Sequence, residues 1–118
     1  MARHMLEEMI ARHWSARATR DGAEGYLRFF VDKLVPELDK IDGHRGAEVF
    51  VRSVGDIVEI TVLTFWDTME AVRQFSGATP DRAVVEPEAR ALLASFDTDV
   101  RHLTLRVDTS RATREGAG

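Results

Sequence analysis

Two long strand-like runs joined by only two residues constrain this chain more than any other feature. His44–Val54 reads HRGAEVFVRSV, Ile57–Trp66 reads IVEITVLTFW, and Gly55-Asp56 lies between them. So short a connection containing Gly predicts a tight antiparallel hairpin. Its register then sorts every side chain onto one of two faces. One face carries Ala47, Val49, Val51 and Ser53 with Val58, Ile60, Val62, Thr64 and Trp66. It is nearly all apolar and belongs under helices. The other carries Glu48, Phe50 and Arg52 with Glu59, Thr61, Leu63 and Phe65, and sets Arg52 opposite Glu59 as a cross-strand charge pair.

Phe50, Leu63 and Phe65 therefore lie on a side that no helix of this chain covers. A contiguous exposed apolar patch usually marks a partner, so a homodimer packed sheet to sheet is expected. The same register sets Arg45 opposite Trp66 and His44 opposite Asp67. A guanidinium over an indole contributes about 0.5–2 kcal/mol. This pair either closes the end of the core or lines a ligand cavity between sheet and helices.

The flanking segments complete a pattern. A first strand is predicted over Met5–Trp14, followed by a polar connection, SARATRDG. Leu27, Phe30, Val31, Leu34, Leu38 and Ile41 recur at helical spacing, with Pro36 kinking or ending the helix and Asp42-Gly43 closing it. Asp67, with Glu70 three residues on, resembles a capping box for a helix bearing Met69, Val72 and Phe75 and stopped by Gly77. Residues 81–96 read as helical, interrupted at Pro87, with Ala89, Leu92, Leu93 and Phe96 inward; DVRHLTLRV is a last strand. The order β-α-β-β-α-β is the split βαβ of ferredoxin-like α+β folds, a four-stranded antiparallel sheet with helices on one face. One domain over residues 5–107 and a polar tail over 108–118 are expected.

Composition removes several chemistries. The 16 basic and 20 acidic residues give a net charge of −4 over 118 residues, no field for nucleic acid. The absence of cysteine excludes disulfides and thiolate catalysis and fits the cytoplasm. No apolar run approaches the ~18 residues that span a membrane. Phosphate loops, serine-nucleophile motifs and helical metal-ligand spacings are missing.

What remains are candidate groups. His13 and His102 are placed as neighbours at the end of the sheet away from Trp66, where either could serve as a base. Tyr26, Phe29, Phe30 and Lys33 crowd the first helix, while Met69 and Phe75 read as core. Arg82 and Arg90 lie on a charged face that can turn toward a cleft mouth.

VPELDKIDGHRGAEVFVR, VEITVLTFWDTMEAVRQFSG and RAVVEPEARALL together resemble the antibiotic biosynthesis monooxygenase family of dimeric α+β barrels, over about Met9 to Val107. The resemblance implies a homodimer and, in one branch, cofactor-free oxidation of an aromatic, polyketide-like small molecule by O₂, with no metal. It implies that Trp66 stacks on the substrate and Arg45 stabilises its oxyanion; with His102 as the base read from the strands, these are the catalytic candidates, and Tyr26, Phe30, Val62, Thr64, Trp66 and Phe75 are the ligand-binding ones. Val62 and Thr64 stand where related oxygenases carry an Asn on the face of the Trp. A non-catalytic small-molecule-binding or auxiliary protein on the same scaffold is the alternative. Haem binding or degradation is a third, although residues 67–96 hold no His.

Overall fold

The computed structural model describes residues 9–109. Its strands are β1 (Ile10–Thr19), β2 (His44–Val54), β3 (Ile57–Trp66), β4 (Ser95–Phe96) and β5 (Arg101–Thr104). Its helices are α1 (Arg20–Phe29), α2 (Val35–Asp39), α3 (Met69–Ser76) and α4 (Pro87–Leu92), with a π-helical turn, Phe30–Leu34, joining α1 to α2. The sheet is antiparallel in the order β2-β3-β1-β4, and β5 also pairs with β1. This is the expected α+β ferredoxin-like arrangement. Its fourth position is shared by two short strands, β4 against Ala16 and Arg17 and β5 against Ile10–His13.

The hairpin has the expected register from Gly46 to Val54, and Arg52 donates to Glu59 at 3.0 Å. Along β3, Val58, Ile60, Val62, Thr64 and Trp66 alternate as buried residues with half-buried ones between them. That alternation is the pleat's period of two with one face under helices. On the edge strand β2 the cover is incomplete, and Val51 is exposed although it faces the helix side.

One extra residue changes the end of the hairpin. The register shifts between His44 and Gly46, so His44, not Arg45, stands opposite Trp66. A β-bulge adds a residue to one strand and re-aims its side chain. Gly46, at φ 122°, adopts the conformation this requires. His44 meets Trp66 edge-on, with ring centroids 4.9 Å apart. Arg45 is turned outward and grips Asp67 through Nε (2.9 Å) and Nη2. With Asp67 so engaged, Thr68 caps α3, its hydroxyl accepting from the Ala71 amide at 3.1 Å. The expected Arg45–Trp66 stack and Asp67 cap are corrected accordingly.

β1 lies five residues later than expected, and Met5–Glu8 fall outside the described residues. Most of the stretch that reads as a polar connection, Ser15–Thr19, is strand, because Ala16 and Ala18 are fully buried beneath α1. Small residues there let the helix approach closely. Gly22 and Gly25 continue that packing, since a Cβ at Gly22 would lie 2.3 Å from the Leu92 carbonyl oxygen and one at Gly25 2.8 Å from the Leu92 side chain. α1 therefore begins at Arg20, capped by the Thr19 hydroxyl accepting from the Gly22 amide at 3.1 Å.

Pro36 is accommodated by the π-helical turn before it, in which the Val35 amide donates to the Phe30 carbonyl. The wider turn shifts the helical phase, and Val31, expected inward, is exposed. Residues 81–86, expected helical, run as an irregular strap along the 98–100 segment. Ala83 donates to Thr98 (2.9 Å) and Val100 to Asp81 (2.8 Å). Helix is confined to Pro87–Leu92, since Pro87 fixes a helix start and lacks the N–H an earlier turn would need. Phe96 consequently lies in β4.

Candidate functional site

Between the sheet and the helices lies a cavity of about 50 Å³. The sheet supplies Arg12 and Trp14 from β1 and Val62 and Thr64 from β3; the helical layer supplies Tyr26, Phe30, Leu34, Leu38 and Phe75; Ala83, Val84 and Val100 close the side. Phe30 and Leu34 bound the π-helical turn, a feature frequent at functional sites. Trp14 is fixed by its indole N–H donating to the Asp97 carbonyl at 2.7 Å, and its ring centroid is 6.0 Å from that of Tyr26.

Arg12 is the polar centre of the site. It is 4% exposed, and its guanidinium lies over Phe75, 5.8 Å from the ring centroid. Nη1 donates to the Pro80 carbonyl and Nη2 to that of Arg82 (2.9 Å). Nη1 also lies 3.0 Å from His102 Nε2. Arginine can only donate, so Nε2 accepts and the imidazole proton sits on Nδ1. That nitrogen lies 3.4 Å from Asp81. Burial lowers the Arg12 pKa to about 10, against the opposing pull of Asp81. The guanidinium thus remains charged at neutral pH. Burial, then the Arg12 charge, also hold His102 below its ordinary pKa.

The other polar groups of the wall are hydroxyls. Thr64 accepts from Trp66 Nε1 at 2.8 Å, which leaves its own O–H to donate. Burial pushes the Tyr26 phenol up, so it stays a neutral donor. Among the described residues forming the wall, none carries a carboxylate. The site is a donor-rich, aromatic-walled space with one buried cation.

The structure brings together Tyr26, Phe30, Val62, Thr64 and Phe75 from the expected site. Trp66 stands one layer behind the wall, 0% exposed, supporting Thr64 and 6.1 Å from Phe75 between ring centroids. Arg45 is outside, on the surface beside Asp67. His102 reaches the cavity only through Arg12, and it lies toward the Trp66 end of the sheet, not away from it. The later start of β1 is the reason, since Ile10 pairs with both Trp66 and Thr104. His13 faces the opposite side of the sheet from Arg12 and is separated from His102. Arg82 pairs at 3.9 Å with Asp99, and Arg90 lies over Phe96. Arg12 itself was missed; its one signal was a charged residue in a strand, on the face that a correct β1 register turns inward.

No family model matches the sequence, and no curated protein does. Solved structures do match. A protein of Bacillus cereus named as an antibiotic biosynthesis monooxygenase is 18% identical, with TM-score 0.52 over 86% of this chain and 94% of its own. SnoaB, a cofactor-independent oxygenase from Streptomyces nogalater, is 13% identical, with TM-score 0.59 over 86% and 96%. The de novo designed protein Foldit4 matches as well, at 19% identity and TM-score 0.55 over 84% and 100%. The chain shares the ferredoxin-like fold of antibiotic biosynthesis monooxygenase-like proteins. That a designed protein shares it too leaves function to be argued from the cavity.

Proposed function

We propose that the cavity takes a small electron-rich aromatic molecule as its anion, and that the protein, like antibiotic biosynthesis monooxygenases, oxidises it with O₂ without a cofactor. The observation that carries this reading is Arg12, a buried cation in an aromatic wall without a carboxylate. A preorganised guanidinium in a dry site stabilises a developing oxyanion far better than water does. Thr64, held by Trp66, adds a second donor, and Phe30, Phe75 and Trp14 offer ring faces.

For an anthrone-type substrate the chemistry balances without a reductant. Loss of a proton gives an electron-rich anion that adds O₂ at carbon. One oxygen atom becomes the new carbonyl oxygen, and the other leaves as water with the two hydrogens of that carbon. His102 supplies the base, since its Nε2 lone pair is freed when Arg12 turns from it to the ligand's oxygen. Arg45, outside the cavity, is given no part in this reading.

A second reading, ligand binding without turnover, is favoured by one contact: His102 Nε2 is already engaged by Arg12 at 3.0 Å. Oxygen-electrode traces with anthrone-type substrates separate the two. Uptake in the wild type that Arg12→Leu abolishes supports the oxygenase. Quenching of tryptophan fluorescence with no uptake for any electron-rich phenol leaves only the binding protein.

Two copies packed through the face bearing Phe50, Leu63 and Phe65 complete the proposal. Phe50 is 52% exposed, and the nearby Leu103 is exposed too. No helix among the described residues is long and apolar enough to cross a membrane.

A further inference from the structure

The cavity, partly open to solvent, holds only about 50 Å³, whereas clefts and cavities that take small molecules run to ~300–1,000 Å³. Something must move, and the wall is not uniform. The sheet and the aromatic cluster are tightly interlocked, whereas the strap over residues 80–83 has no helix or strand of its own. It is held by Arg12 to the Pro80 and Arg82 carbonyls and by the Ala83–Thr98 and Val100–Asp81 amide bonds.

We propose that Asp81, His102 and Arg12 form an interlock that keeps the strap closed over the cavity while His102 is neutral and releases it when His102 takes a proton. The inference rests on reading the cavity as a ligand site and adds its regulation: the ligand enters while His102 is protonated, and the ring serves as base only after it has lost that proton to solvent. Asp81 holds the imidazole proton on Nδ1, which leaves Nε2 to accept from Arg12. Arg12, so aimed, reaches the two strap carbonyls. A proton on Nε2 replaces that acceptor with a second cation 3.0 Å from the guanidinium. The guanidinium is driven off, and the strap carbonyls lose their donors.

Of the charged groups around His102, Arg12 drives this direction and Asp81 opposes it, with burial and Arg12 outweighing Asp81. Arg12 faces it from β1 and Asp81 from the strap itself; the Arg82–Asp99 pair lies at the rim. Asp81 is the only carboxylate paired with His102 among the described residues, and it lies on the strap. It therefore stabilises the protonated ring without restoring the bond to Arg12. Because burial and Arg12 lower the His102 pKa, the closed state is favoured above the ordinary imidazole range and lost as pH falls below it.

The experiment is amide hydrogen exchange on the full chain without ligand, corrected for intrinsic rates, at about pH 8 and about pH 5, which bracket imidazole titration. Ala83 and Val100 report the strap; Ile60 and Val62 on the hairpin strand β3, whose amides face β1 inside the sheet, report global stability. In the wild type, protection of the two strap amides falls at least about tenfold at the lower pH, one pKa unit of coupling, with the hairpin unchanged. His102→Gln, whose amide oxygen accepts from Arg12 while its N–H₂ faces Asp81, keeps the strap closed at both pH values. His102→Leu leaves it open at both. Equal pH response in the wild type and His102→Gln, or full strap protection in His102→Leu, overturns the interlock. A failed interlock leaves the aromatic-ligand reading intact, and failure of all aromatic compounds to bind does not alter the exchange result.

Discussion

Arg12 and His102 stand directly opposite each other across the β1–β5 ladder, and the guanidinium donates to the imidazole, not to a carboxylate. Asp81 is one step further out, beyond the ring. The cation is therefore aimed by a neutral acceptor and keeps its full charge for whatever enters the cavity. A direct carboxylate partner would have neutralised it.

Replacing Arg12 removes the donors to the Pro80 and Arg82 carbonyls. Arg12→Leu is expected to lower stability by about 1–3 kcal/mol, the cost of leaving buried acceptors unpaired. The urea midpoint checks this. Phenolate binding should be lost in the same variant, and Arg12→Lys should recover little of it, because one ammonium cannot span both carbonyls and a ligand.

Arg45 provides the contrast. Its guanidinium lies on the surface, paired with Asp67, and the bulge at Gly46 keeps it away from Trp66. Exposed pairs of this kind contribute little. Arg45→Ala should change ligand affinity by less than about twofold, measured by the same fluorescence titration that registers the Arg12 variants.

The hairpin was legible because its turn is two residues long and its alternation unbroken from Val58 to Trp66. Its far end was not, since a one-residue bulge has no marker beyond Gly46 itself. The aromatic members of the wall, Tyr26, Phe30 and Phe75, were legible as large inward residues. Arg12 was hidden because Ala16, Ala18 and Gly22 resemble a loose connection until α4 is packed against α1. Small side chains signal close approach only when the approaching element is known. The strap was hidden for a related reason: its backbone bonds go to residues 98–100 and to a side chain on β1, partners that local periodicity does not reveal.

His44 carries a buried Nε2 with no partner, beside the Trp66 ring. Burial holds its pKa below the ordinary 6.5, despite the pull of Asp39. A base with a lowered folded pKa stabilises the fold above its unfolded pKa, and that contribution is lost as pH falls through the folded value. His44→Phe keeps an edge-on ring against Trp66 and removes the orphaned nitrogen. Its Tm should match or exceed the wild type at neutral pH, and the fall in Tm below about pH 6.5 should be shallower.

Thr64 joins the cavity to Trp66. In Thr64→Val the indole N–H, at 0% exposure, loses its acceptor. The expected loss is about 1–3 kcal/mol, with a shift in tryptophan emission as the indole environment changes. Thr64→Ser retains the oxygen and should retain both the emission and most of the stability. If Thr64 also donates to the ligand, Val but not Ser weakens binding.

The outer face can be tested at a residue whose loss the monomer hardly feels. Phe50 is half exposed in the single chain, so Phe50→Asp removes little packing from its fold. In a sheet-to-sheet pair through this face the same change buries a carboxylate in an apolar interface without a partner cation. The wild type should sediment at about twice the 13.3 kDa chain mass, and Phe50→Asp at the chain mass with an unchanged monomer spectrum. A wild-type mass near that of one chain would remove the pairing and leave the patch to another partner.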